Sequence, residues 1–202
     1  MKTLIIYYHP HEGSLCSSVR HAVLSGLVTT EQKYMLIDLG LDEFNPVMSS
    51  KDLYAFVQGG KNPDTWPEDV DPMVISYVEK MLWAEHIVMI FPIWWMTMPA
   101  MIKGFVDKVF FPGMVYKMEG GQLVSKLHNL LQVTIITTMN TPAAIYNEIF
   151  GNPLEGSLIK GTFNKIGIRE ICWIGLDMVK QATEKERRKW LDEIEHKITE
   201  YA

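Results

Sequence analysis

The feature that most restricts this chain is the recurrence of short, charge-free, β-rich apolar runs separated by segments of helical periodicity. Ile87-Val88-Met89-Ile90 is the clearest run: it is uncharged and half β-branched, as expected of a strand buried on both faces. Leu4-Ile5-Ile6-Tyr7-Tyr8, Tyr34 to Asp38, Leu130 to Thr138 and Ile168 to Ile174 read as four more strands. Between them lie helical patterns: Val19, Ala22, Val23 and Leu27; then Val74, Ile75, Val78, Met81 and Leu82; then Ala100, Met101, Phe105 and Val109. A last helix runs from Thr183 to about Tyr201, with Thr183 and Glu186 as a capping box and Trp190, Ile194 and Ile198 as its apolar stripe. Strands alternating with helices require a parallel sheet with right-handed crossovers and helices on both faces. Five strands suit the doubly wound order 2-1-3-4-5, and 202 residues suit one domain, residues 1–202.

Composition narrows the class further. With 48% hydrophobic residues the chain can bury a full core, and a net charge of -5 argues against nucleic acid or an anionic membrane as the main partner. The cations Lys185, Arg187, Arg188 and Lys189 alternate with Glu184 and Glu186, which is the pattern of a solvated helix face. Cys16 and Cys172 form no redox or metal motif, so a reduced, cytoplasmic protein is expected. The uncharged stretch Ile87 to Ile102 is shorter than the roughly 20 residues of a membrane span and is broken by Pro92 and Pro99, so no transmembrane segment is expected.

The irregular parts locate the candidate site. Phe91-Pro92-Ile93-Trp94-Trp95-Met96-Thr97-Met98-Pro99 joins the central strand to a helix whose first turn suits Pro99. Two adjacent tryptophans at the carboxyl end of a buried strand suggest a platform for a flat aromatic ligand, since open parallel sheets bind ligands at that edge. Filling of core or a subunit interface is their commoner use. After the first strand, His9-Pro10-His11-Glu12-Gly13-Ser14 leads into a helix start with Ser14, Ser17 and Ser18, where free N–H groups can hold a phosphate. No G-x-G-x-x-G, Walker or nucleophile-elbow pattern is present, and His9 and His11 lack the companions of a metal site. Thr137-Thr138-Met139-Asn140 ends the fourth strand at the same sheet edge, with Tyr146 close behind. Residues 39–71 are irregular apart from a short helix from about Ser50 to Val57, residues 111–127 read as a loop, and 143–165 as part helix, part loop.

These residues together resemble the flavodoxin-like NAD(P)H:quinone oxidoreductases, including the modulator-of-drug-activity type. The resemblance spans nearly the whole chain. It rests on His9 and Ser14 after the first strand, Asn45-Pro46 and Lys51-Asp52 after the second, and above all on Phe91 to Phe110. It implies a tightly bound flavin, FAD before FMN, with the 44–71 segment offering surface for an adenine. Hydride would pass from NADPH or NADH to the flavin, and a pair of electrons from there to a quinone or other small aromatic acceptor. It further implies that Pro92, Ile93, Trp94, Trp95 and Met96 lie along the flavin ring, that His9, Ser14, Leu15 and Cys16 hold the phosphate and ribityl part, and that Thr137, Thr138, Met139 and Asn140 close the far edge. Tyr146 would be the catalytic residue, while Asn152 stands roughly where relatives carry a histidine. A homodimer is implied, with Trp66 and Met114 to Met118 offered to the partner. The alternatives are an ancillary flavoprotein regulator of a potassium-efflux system and a flavodoxin-type electron carrier.

Overall fold

The computed structural model describes residues 1–62 and 65–200; Pro63 of the irregular segment and the expected helix end at Tyr201 lie outside them. Five parallel strands form the central sheet: β1 (Lys2–Tyr7), β2 (Lys33–Asp38), β3 (His86–Pro92), β6 (Gln132–Thr138) and β7 (Ile171–Leu176). Their spatial order is β2-β1-β3-β6-β7, which is the 2-1-3-4-5 order expected. The order reverses between β1 and β3, so the crevice above their carboxyl ends is the switch point. Every residue of β3 is buried, because helices cover both faces of its central position.

Helices α1 (Leu15–Thr29) and α5 (Glu184–Thr199) cover one face, their Val19, Val23, Leu27, Ile194 and Ile198 packing with Ile5, Val88 and Ile136 of the sheet. Helices α2 (Ser50–Lys61), α3 (Pro72–Trp83) and α4 (Ala100–Val109) lie on the other, over Leu4, Ile6, Met89 and Ile135. The caps follow the sequence. Ser49 and Asp52 close a capping box on α2, Asp71 accepts from Met73 N–H with Pro72 at the first position of α3, and Thr183 and Glu186 close the box on α5.

Four regions differ in detail from expectation. Helix α2 extends past Val57 to Lys61, running through Gly59, where a Cβ would stand 2.3 Å from the Pro112 carbonyl oxygen and only glycine fits. Residues 111–127 are not only loop. They contain the antiparallel hairpin β4 (Tyr116–Glu119) and β5 (Gln122–Ser125), joined by Gly120 and Gly121, both with positive φ as a tight two-residue turn requires. The part-helical region holds two π-helical stretches, Ile145–Ile149 and Glu155–Phe163, separated by Gly151 and Asn152 with φ of 68° and 50°. β7 begins later than Ile168, since Gly167 (φ 95°) ends a 3₁₀ turn just before it.

The 39–49 segment and α2 are clamped to α4. Gly104 leaves room for Pro46, whose Cβ would lie 2.3 Å from any side chain added there. Buried Lys108 reaches the Asp52 carboxylate at 3.3 Å and the Asn45 carbonyl at 3.2 Å. Among the described residues, no helix is long and apolar enough to cross a membrane.

Candidate functional site

At the carboxyl end of β3 the chain makes a tight reverse turn. Trp94 and Thr97 exchange both backbone bonds, at 2.9 and 3.1 Å, and the two residues between them, Trp95 and Met96, have φ of 49° and 67°. Two consecutive left-handed residues define the tightest hairpin turn, a position that ordinarily selects Asn, Asp or Gly. Here it carries two large side chains, and such a conformation persists only where the surroundings over-determine it. The surroundings do so. Ile93 N–H donates to the Thr138 carbonyl at 2.8 Å, and the Tyr146 hydroxyl donates to the Met96 carbonyl at 2.9 Å. The result aims Trp95 into solvent, 97% exposed, while Trp94 packs edge-on against Tyr8 and His9, ring centres 6.3 and 6.1 Å away.

Across the crevice stands the start of α1. Ser14 is its N-cap, its hydroxyl accepting Ser17 N–H at 3.1 Å. Helix geometry leaves the N–H groups of Leu15 and Cys16 without intrahelical partners, and the first turn of α1 carries no acidic residue. This donor set suits a phosphate ester without any lysine. His11 N–H donates to His9 Nδ1 at 3.1 Å, which fills that lone pair and leaves Nε2 as the protonated nitrogen of a neutral ring. Burial holds His9 below its ordinary pKa, in keeping with a neutral donor. The Cys16 thiol is buried at 3.2 Å from Thr138 Oγ1, and burial pushes it up to about 11, so it is a packed neutral thiol and not a nucleophile.

The third side is the end of β6, and its polar groups are largely spoken for. Thr137 Oγ1 accepts the Trp173 indole N–H at 2.9 Å. Met139 N–H donates to Leu176 and its carbonyl accepts from Val179, while Asn140 Oδ1 accepts from Lys180 N–H. Residues 137–140 are therefore a braced wall. The structure brings the expected site residues from β1, β3 and β6 to one edge, through Cys16–Thr138, Ile93–Thr138 and Trp94–His9. Tyr146 sits behind this edge. It is fully buried, bonded to Met96 O and to Leu154 N–H at 3.1 Å, and burial raises its pKa. Sequence reasoning missed Tyr8 and Trp173. Tyr8 follows a buried strand and was counted within it, and the Trp173 indole bond depends on the β6–β7 register.

The fold is that of an open, doubly wound α/β protein whose ligand edge is the crevice at the switch point, here flanked by a phosphate-compatible helix start and an aromatic turn. The chain belongs to the flavodoxin-like family: a family model described as having the flavodoxin-like fold matches residues 1–198. It is similar to a Haemophilus influenzae protein named uncharacterized NAD(P)H oxidoreductase, 31% identical over 177 residues that cover 85% of this chain and 81% of that one. An FMN-dependent NADH:quinone oxidoreductase of Ruegeria pomeroyi is 26% identical over 101 residues, 50% of each chain. Among solved structures, Smu.1420 of Streptococcus mutans UA159 superposes with a TM-score of 0.83 at 27% identity, covering 99% of this chain and 100% of that one.

Proposed function

We propose that the chain is a flavin-dependent NAD(P)H:quinone-type oxidoreductase. The observation that carries this reading is the Trp94–Thr97 turn, held in an unfavourable conformation directly across the switch point from the start of α1. The names of its relatives support a nicotinamide-linked redox enzyme. When bound, the flavin supplies the hydride chemistry between NAD(P)H and the acceptor. The chain's own residues bind and orient. Leu15 and Cys16 N–H groups with Ser14 hold the phosphate, and His9 Nε2–H donates beside them. Pro92, Ile93, Trp94 and Met96 form the wall along the ring, and Thr137 to Asn140 brace its far edge. Trp95 offers its free indole face to a planar acceptor. We assign Tyr146 a positioning role, holding the Met96 carbonyl and with it the turn, because its hydroxyl is already committed on both sides.

Between the two flavins we favour FMN, which reverses the order drawn from sequence. The 44–71 segment, expected to supply surface for an adenine, is clamped to α4 in its first part, through Pro46, Asp52 and Lys108. The Ruegeria relative's name also specifies FMN. A homodimer remains part of the proposal. Leu53, Tyr54 and Val57 of α2, with Trp66 and Met118, leave large apolar groups exposed, whereas Met114 and Val115 are core and are withdrawn as partner contacts.

The test is to release the flavin by heat, identify it by chromatography, and add NADH or NADPH anaerobically to the intact protein. Bleaching by either nicotinamide, with reoxidation by a quinone, is expected. A chain that takes up no added flavin defeats the proposal, and one whose flavin neither nicotinamide reduces defeats the enzyme reading in favour of an electron carrier.

A further inference from the structure

Beside the start of α1 lies a charged cluster that the site described above does not use. Arg20, one turn into the helix, lies with its guanidinium carbon 4.5 Å above the Tyr7 ring and donates to Asp38 at 2.8 Å and to Glu12 at 3.1 Å. The same Glu12 oxygen accepts the Ser17 hydroxyl at 3.3 Å. The two carboxylates differ in how they are held. The Asp38 side chain is 9% exposed and its other oxygen accepts Gly40 and Leu41 N–H, whereas the Glu12 side chain is 76% exposed and comes from the loop itself. Asp38 is thus a fixed partner of Arg20 and Glu12 a loosely held one.

A second observation points to a missing ligand at this place. The Tyr7 hydroxyl is fully buried beside the Ser14 and Ser17 hydroxyls, which interact with it weakly, and no group among the described residues stands in good hydrogen-bond geometry to it. Arg20 Nε is likewise buried without a hydrogen-bond partner among them. Buried polar groups are nearly always satisfied, so unpaired donors gathered at a helix start with spare N–H groups mark an incompletely filled anion cradle.

We propose that Arg20 and Ser17 extend the phosphate cradle at the start of α1, and that Glu12 is a resident carboxylate competing for it until a phosphate-bearing ligand displaces it. This rests on the flavin reading for the identity of the ligand but not for the existence of the anion site. With Asp38 and Glu12 both in place the cluster carries one net negative charge, and an incoming phosphate meets that charge. Swinging Glu12 into solvent removes it and frees the Arg20 Nη2 and Ser17 donors together. The cradle thereby discriminates for the phosphate end of a ligand, independently of its ring.

The experiment uses the full chain, stripped of flavin, with Glu12→Gln as the variant. The exposed position of Glu12 makes this a mild change to the fold. Dissociation constants for FMN and for riboflavin, which lacks the phosphate, are measured by quenching of flavin fluorescence. Removing one partly screened charge close to the phosphate is expected to tighten FMN by about tenfold and to leave riboflavin within about twofold. Inorganic phosphate is expected to raise the melting temperature of E12Q more than that of the wild type. Equal changes for FMN and riboflavin, weaker FMN binding by E12Q, or equal phosphate shifts would each overturn the proposal. If the wild-type chain binds neither FMN nor riboflavin, the flavin reading fails on its own, and the phosphate-dependent melting of the two proteins decides the role of Glu12.

Discussion

Tyr146→Phe removes one oxygen atom from the back of the candidate site, and its consequences follow from two bonds. The hydroxyl donates to the Met96 carbonyl and accepts Leu154 N–H, and both Tyr146 and Leu154 are fully buried. Without the oxygen, Leu154 N–H is left buried and unpaired, which costs about 1–3 kcal/mol. The Met96 carbonyl lies nearer the surface and water can replace the lost donor, so its share is about 0.5–1.5 kcal/mol. The sum, about 1.5–4.5 kcal/mol, is a large part of the stability of an ordinary domain and is well within reach of urea denaturation. The same loss releases one of the bonds that hold Trp95 and Met96 at positive φ, so flavin affinity should weaken beyond what the loss of stability explains. Both are measured on one protein, by the urea midpoint and by flavin titration under native conditions. A Y146F variant as stable as wild type, but with turnover abolished at saturating flavin and nicotinamide, would refute the positioning role and return Tyr146 to direct chemistry.

Three more perturbations probe other parts of the structure. Trp95→Gly should stabilise the flavin-free chain by about 1 kcal/mol, since glycine carries no penalty at φ 49° and the indole makes almost no buried contact, while KM for a planar quinone rises; a loss of stability in urea would count against the turn geometry. Gly104→Ala places a methyl 2.3 Å from Pro46, so it should cost about 1–3 kcal/mol and loosen the 39–49 segment, seen as faster amide exchange there; a neutral effect would mean the segment is not clamped as described. Burial holds His86 down to about 4, so between that value and the ordinary 6.5 the unfolded chain binds the proton and the folded one does not. Stability should therefore be full above about pH 6.5 and fall by about 3 kcal/mol as pH drops toward 4, and His86→Gln should flatten that slope in urea melts across this range.

The parallel sheet was legible because its signal is local. Runs such as Leu4 to Tyr7 and Ile87 to Ile90 are apolar for physical reasons that need no knowledge of their neighbours, and caps such as Asp71-Pro72 and Thr183 with Glu186 announce helix starts from within a few residues. The hairpin at Gly120-Gly121 carried an equally local signal, two glycines between short alternating runs, and was passed over as loop. The π-helical stretches carry no period that the sequence announces, and the Tyr146–Leu154 bond that ties the two together forms only once the turn at Gly151 and Asn152 is folded. For the site, the three loops were placed correctly at one sheet edge, but the division of labour between the tryptophans was not visible. It depends on the sign of φ at Trp95 and Met96, and large side chains there give no warning of a left-handed turn.

The two banks of the crevice are built on different principles, and this determines what substitutions in each will report. On the β3–β6 bank nearly every polar group near the edge has a protein partner: Ile93 with Thr138, Thr137 with Trp173, Met139 with Leu176 and Val179, Met96 with Tyr146. That bank is a finished wall that presents shape, so changes behind it act first on stability and reach the ligand through the position of the turn. On the α1 bank the balance is reversed. The Leu15 and Cys16 N–H groups have no intrahelical partner, the Tyr7 hydroxyl and Arg20 Nε have none among the described residues, and the Glu12 carboxylate on Arg20 is mostly in solvent. That bank is complete only with an anion in it, so changes there act first on affinity. A ligand with a flat ring and an anionic tail meets both requirements at once, and neither bank alone would select it.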